Sequence, residues 1–173
     1  MVSSRDEGTR MERKDLAIAP ILEAALILIV ALAGWLVHKP LLFASLGPTA
    51  YEQVETPKRK SGRPYNVIAG HLIAVLAGFA SLWICRAWIA PGVSSGAVPL
   101  PRVEAATLAA FLTVLGTLLA RASQPAALST TLLISLGVMQ TWQDGMIIMA
   151  GVVLLTIVGE PLRRWRARDP MAD

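Results

Sequence analysis

The chain has 173 residues, 54% of them hydrophobic and 16% charged, against roughly 25% charged in soluble globular domains, so a water-soluble enzyme is excluded and lipid is the expected solvent. A formal net charge of +4 does not indicate nucleic acid, because the basic residues flank apolar runs, where membrane orientation accounts for them. Cys85 alone gives no disulfide framework, two histidines (His38 and His71) give no metal spacing, and no P-loop or dinucleotide fingerprint is present, so no enzymatic activity, no bound metal and no cofactor are expected.

The first fifteen residues mix Arg5, Arg10, Arg13 and Lys14 with Asp6, Glu7, Glu12 and Asp15 and lack apolar periodicity, which reads as a cytoplasmic tail over 1–15. The apolar run at 20–37 is longer than an ordinary signal-peptide core and has no clear cleavage site, so it reads as a retained helix. Three further runs, 66–90, 103–120 and 145–162, are also long enough to cross, since about 20 apolar residues at a rise of about 1.5 Å match a hydrocarbon core of roughly 30 Å. Between the first two runs lies a short stretch, LLFASLGPTAY at 41–51, broken by Gly47 and Pro48. Between the last two lies ASQPAALSTTLLISLGVM at 122–139, broken by Pro125. The pattern of long, short and interrupted, long thus occurs twice, a weak internal repeat.

The basic residues decide whether the short stretches cross. If both do, thirteen of the sixteen Lys and Arg fall on one side, leaving only Lys39, Arg86 and Arg102 opposite; if both merely dip in and return, the split is ten against six. Six crossings therefore fit the positive-inside rule better. The expected fold is all-α and membrane-integral, a single transmembrane domain at 16–162 made of two inverted repeats (16–90 and 103–162). Each repeat places two long helices around one broken segment, and the tails, 1–15 and 163–173, are cytoplasmic. Residues 40–51 would make only about 18 Å of helix, so the first short stretch must cross as a half-helix joined to extended chain, its backbone groups facing protein or water. Trp35, Trp88 and Trp142 then fall at one interface and Tyr51, Tyr65 and Trp165 at the other, as an aromatic belt requires.

Interrupted segments at matching places in two inverted halves point to a midplane binding site. The first offers Ser45, Gly47 and Thr49; the second offers Ser123, Gln124, Ser129, Thr130 and Thr131. Helix N-termini there attract anions, and the set holds no carboxylate, so a small anion or a neutral polar solute suits it better than a cation. Ser, Thr and Gly also serve close packing of membrane helices, which is the competing role for each hydroxyl. His71, after Gly70 in the second long run, either binds an anion or relays a proton, or is a neutral histidine bonded to a neighbouring helix. Glu23 and Glu104 sit near helix starts, where interfacial solvation suffices, and Arg86 can snorkel. Ser and His71 could also suggest an intramembrane protease, but nothing specifies a pair. A unit with so little interior needs oligomerisation to shield its breaks from lipid, so a homodimer or larger homo-oligomer is expected.

SLGPTAY at 45–51, RPYNVIAGHLI at 63–73 and QPAALSTTLLISLG at 124–137, in this order between long apolar helices, resemble the HPP family of integral membrane proteins over roughly residues 20–160. Pro64, Asn66, Gly70 and His71 match the second motif. The third departs: Ser123, Gln124 and Pro125 stand where the family has His-Pro-Pro, and Ala127, Leu128 and Ser129 replace a turn rich in Gly and Ala. The resemblance implies four membrane spans and a transporter, with nitrite carried by plastid and cyanobacterial members. Nitrite is thus the leading expected substrate, in a bacterial cell membrane. A site is expected between the two breaks, with Asn66 and His71 approaching Thr49 and Gln124; the missing histidine carries no role over.

Overall fold

The structure, a computed structural model, describes residues 3–168, with side chains from residue 18 onward. The charges assigned to the N-terminal tail, Arg5 to Asp15, and residues 169–173 of the C-terminal tail lie outside what it describes. Six α-helices are present among the described residues, with no strand: α1 (Ser3–Leu36), α2 (Leu46–Val54), α3 (Pro64–Ile84), α4 (Leu100–Leu119), α5 (Ala127–Ser135) and α6 (Trp142–Arg166). Four of them, α3, α4, α6 and the Ile18–Leu36 part of α1, are long and apolar enough to cross a membrane. The protein is integral to the membrane.

Local chemistry sets the helix ends. Pro64 opens α3 at its first position, where a missing N–H costs nothing. Thr141 and Asp144 close a reciprocal box at the start of α6, Thr141 Oγ1 accepting from Asp144 N at 3.1 Å and Thr141 N donating to Asp144 Oδ2 at 2.9 Å. Helices α1, α4 and α5 all terminate alike, with a left-handed residue two places beyond the last helical one: His38, Arg121 and Gly137. In each, the next N–H returns to a carbonyl five residues back, Lys39 to Gly34 (3.0 Å), Ala122 to Thr117 (2.9 Å) and Val138 to Leu133 (3.0 Å), so carbonyls freed at the helix end are paired within the turn.

Several boundaries differ from the sequence expectation. The first helix runs back to Ser3, α6 starts at Trp142 and continues through Pro161 to Arg166, and α3 stops at Ile84. Left-handed Arg86 turns the chain there, and residues 87–90 leave the helix through a 3-10 turn (Ala87–Ile89). Gly47 and Pro48 do not break the first short stretch; they occupy the first turn of α2, where proline is tolerated. The interruption lies before them, at 40–43, and its counterpart lies at 122–124; each irregular stretch passes through a two-residue turn into a nine-residue helix.

Contacts assign the ends of α2 to α6 to one of two ends of the bundle. At the end holding the last turn of α6, here the lower end, Arg166 Nε donates to Val54 O at 3.2 Å and Arg163 Nη1 to Pro57 O at 2.7 Å, and Tyr65 Oη joins the start of α3 to Ala120 O beyond α4 at 2.9 Å. At the upper end, Phe79 stacks on Trp142 with centroids 4.4 Å apart, and Arg102 of α4 reaches Ser135 O at the end of α5. Along α3, Gly70 faces Gln124 and Gly78 faces Ile134, so 122–135 climbs beside it from lower to upper end. Along α6, Gly151 faces Leu41 and Phe43 while Arg166 holds Val54, so 41–54 descends. Each short stretch therefore joins the two ends of the bundle, although only four helices have the length to span unaided.

Arg102 is fully buried and is the upper fastening. Its guanidinium donates to Ala90 O (2.7 Å), Ser135 O (3.2 Å), Pro91 O (3.4 Å) and Gln140 Oε1 (2.5 Å). Gly137 must be glycine twice over: its φ is +82°, and a Cβ there would lie 2.6 Å from Arg102 Cζ. Arg102→Ala would leave these carbonyls unpaired, at about 1–3 kcal/mol for each buried group that finds no substitute. The expected result is a clear fall in thermal unfolding temperature in mild detergent, with Arg102→Lys only partly restoring it; equal melting of wild type and Arg102→Ala would remove Arg102 from this role.

Candidate functional site

The starts of the two short helices meet beside the middle of the bundle. Ser45 precedes α2, Thr49 lies in its first turn, Thr130 is the fourth residue of α5, and His71 projects from α3; all four are fully buried. Ser45 Oγ lies 2.6 Å from Thr130 Oγ1, Thr130 Oγ1 lies 2.7 Å from His71 Nδ1, and His71 Nε2 lies 3.1 Å from Thr49 Oγ1. Thr49 donates its own proton to Ser45 O at 2.8 Å.

That last bond orders the rest. With its proton committed, Thr49 Oγ1 accepts from His71, so Nε2 carries hydrogen, and in the neutral imidazole Nδ1 is an acceptor. Thr130 then donates to Nδ1 and accepts from Ser45. The result is a closed, one-directional ring, Ser45 to Thr130 to His71 to Thr49 and back to the Ser45 carbonyl, in which each bond polarises the next. Of the two roles open to His71, this geometry is that of a histidine hydrogen-bonded to neighbouring elements. A second pair lies beside it on α5: Thr131 Oγ1 donates to Ala74 O (3.3 Å) and meets Thr113 Oγ1 of α4 at 2.6 Å.

Gln124 differs from the ring. It is 4% exposed, and neither its Oε1 nor its Nε2 has a hydrogen-bond partner. Gly70 makes its position possible, since a Cβ on that residue would lie 2.6 Å from Gln124 Cβ. Asn66 pins the same strand of chain, Nδ2 donating to Ser123 O at 3.1 Å. A pocket of about 480 Å³ opens on the lower side between α2 and α5, lined by Tyr51, Glu52, Arg59, Pro125 and Ser129 among others.

The expected site residues thus divide. Ser45, Thr49, His71 and Thr130 come together in the ring; Asn66, Gly70 and Gln124 form an adjoining group below it. Ser129 is half-buried on the pocket wall. Ser123 is exposed and contributes only its carbonyl, and Gly47 is half-buried with open space where a side chain would project. Sequence reasoning passed over Glu52, whose Oε2 is buried without a partner, Gln53, fully buried against Gly159 with both amide atoms unpaired, and Arg102. All three lie just outside the apolar segments, Glu52 and Gln53 after 41–51 and Arg102 before 103–120, where a polar residue looks solvated.

The profile of a family described as HPP, transmembrane region, matches residues 9–169. No curated protein and no solved structure gives a significant match.

The ring makes a stability forecast. Thr130→Val keeps the volume but leaves Ser45 Oγ and His71 Nδ1 unpaired, a loss of roughly 1–3 kcal/mol, whereas Thr130→Ser keeps both bonds. Thermal unfolding in detergent should rank wild type and Thr130→Ser together above Thr130→Val; no difference among the three would mean that the ring contributes nothing.

Proposed function

The chain belongs to the HPP transmembrane family, and from that membership we propose that it is a transporter or channel for a small inorganic anion, nitrite first, and not an enzyme. The observation that carries the reading is Gln124, a buried amide with donor and acceptor both vacant, at the foot of α5 beside an open pocket. A small anion is costly to strip of water, and the protein must replace that water with donors. The starts of α2 and α5 lie close by and lend partial positive charge without burying an ion.

In this reading the two halves are inverted repeats, supported by the shared order of long helix, left-handed turn, irregular stretch, two-residue turn and nine-residue helix. Both termini are cytoplasmic in a bacterial cell membrane, as the basic residues gathered at the lower end favour. The unit acts as a homodimer or larger homo-oligomer in lipid. A cysteine at Ser61, in a Cys85→Ala background, should resist impermeant reagents added outside the cell; labelling from outside would reverse the orientation. A monodisperse, fully active monomer in mild detergent would count against the oligomer.

A second reading has a specific observation in its favour. The ring is saturated, and the first amides of α5 pair with the carbonyls of Gln124, Pro125 and Ala126 at 3.1–3.2 Å, as in a scaffold or assembly factor whose breaks serve only close packing. Uptake into proteoliposomes separates the two. Nitrite flux should be present in wild type and reduced about ten- to a hundredfold by Gln124→Ala, the loss of a hydrogen bond to a charged partner, with Thr49→Ala weaker than wild type as well. No flux of nitrite, nitrate, formate, chloride or bicarbonate would establish the scaffold.

A further inference from the structure

Glu52 lies on α2 above the lower-end loop and lines the pocket between α2 and α5. Its Oε2 is buried and unpartnered. The side chains close enough to act on its carboxyl are Ser61 and Gln124, and Arg59 is the charge that acts on it. The face of α5 toward the pocket offers Pro125, Ala126 and Ser129, none of them titratable. Tyr51 shares the pocket wall, and at the same end of the bundle Glu160 and Arg163 are paired with each other at 2.7 Å.

Glu52, on the pocket wall, and Gln124, buried behind it, are therefore within reach of each other. An ionised carboxyl only accepts, and takes a hydrogen from Gln124 Nε2; a protonated one donates, and gives its hydrogen to Gln124 Oε1. Half a turn of the amide about its last torsion exchanges the two arrangements, while contact with Gly70 holds the stem of Gln124 in place. The same pair of residues thus accommodates either protonation state.

We propose that Glu52, read by Gln124, is a proton-binding site whose loading is coupled to passage of the anion, so that the two cross together. The inference rests on the anion-transport reading and adds its coupling ion. The proton comes from pocket water, forms an O–H bond at Glu52 Oε2, and is returned to water when the site empties; no other bond changes. Charge inside a membrane protein is expensive, and a proton taken up with a monovalent anion leaves the loaded protein with the net charge of the empty one.

The experiment uses the full chain in liposomes, nitrite as probe, the membrane potential clamped, and a pH step across the bilayer. Wild-type uptake should rise several-fold when the side of entry is made one pH unit more acidic, a tenfold proton gradient. In Glu52→Gln the ratio of flux with and without the step should fall to one, and Glu52→Asp should retain part of it. Wild-type flux indifferent to the step overturns the coupling while leaving anion transport standing, and a step response retained in Glu52→Gln overturns the assignment to Glu52. Should wild type show no flux, transport and coupling both fall, and infrared titration decides the proton site: a carboxylic-acid C=O band that titrates in wild type and disappears in Glu52→Gln upholds it, and its absence overturns it.

Discussion

A helix that covers only part of a membrane bundle leaves a buried end whose backbone groups have no water to pair them, and the rest of the fold answers that constraint. Two helices, α2 and α5, are short in this way. At the end of α5 Ser135 O meets Arg102, which also gathers Ala90, Pro91 and Gln140; at the end of α2 Val54 O meets Arg166, and in the loop that follows Pro57 O meets Arg163. A guanidinium suits both places. Several donors in one rigid fork serve several carbonyls, and its charge lies at the negative end of the helix dipole. The two half-helices are thus tied at opposite ends of the bundle by arginines from the long helices.

At their starts the same helices are joined by neutral groups. Hydroxyls and one imidazole satisfy one another in a ring with no donor to spare, and a fully satisfied buried network specifies a single arrangement. The vacancies lie beneath it, at Gln124 and Glu52, where the chain opens to the lower pocket. The ring draws on all three sequence motifs, whereas of the two vacancies only Gln124 belongs to one and Glu52 lies just beyond the first.

The four long helices and the presence of two interrupted segments could be read from the sequence, because apolar length and proline are local properties, but the interruptions lie at 40–43 and 122–124 and not at Gly47–Pro48 and Pro125. So could the meeting of Thr49 and His71, through the expectation that polar residues at two breaks share one interior. The role of Gly47 could not: a Gly-Pro pair looks like a breaker, and only the turn at 44–45 shows that the helix begins there. Arg102 counted as one charge on a loop, since its partners are the backbone carbonyls of Ala90, Pro91 and Ser135 and the side chain of Gln140, all distant along the chain, and a hydropathy pattern reveals none of them. Glu52 was hidden by its neighbours; the chain runs on into the charged loop at 55–60, and nothing local separates a buried glutamate from the solvated ones after it.

The ring has a mechanical consequence. It is shared by α2, α3 and α5, so it straddles the boundary between the first three helices and the last three. Bonds across that boundary run from Thr130 to both Ser45 and His71. Any rocking of one half against the other must shear these two bonds together, because displacing Thr130 moves it away from both partners at once. The same boundary is also crossed by Tyr65 to Ala120, Asn66 to Ser123, Arg163 to Pro57 and Arg166 to Val54, so the ring is one of several ties that hold the two halves in register.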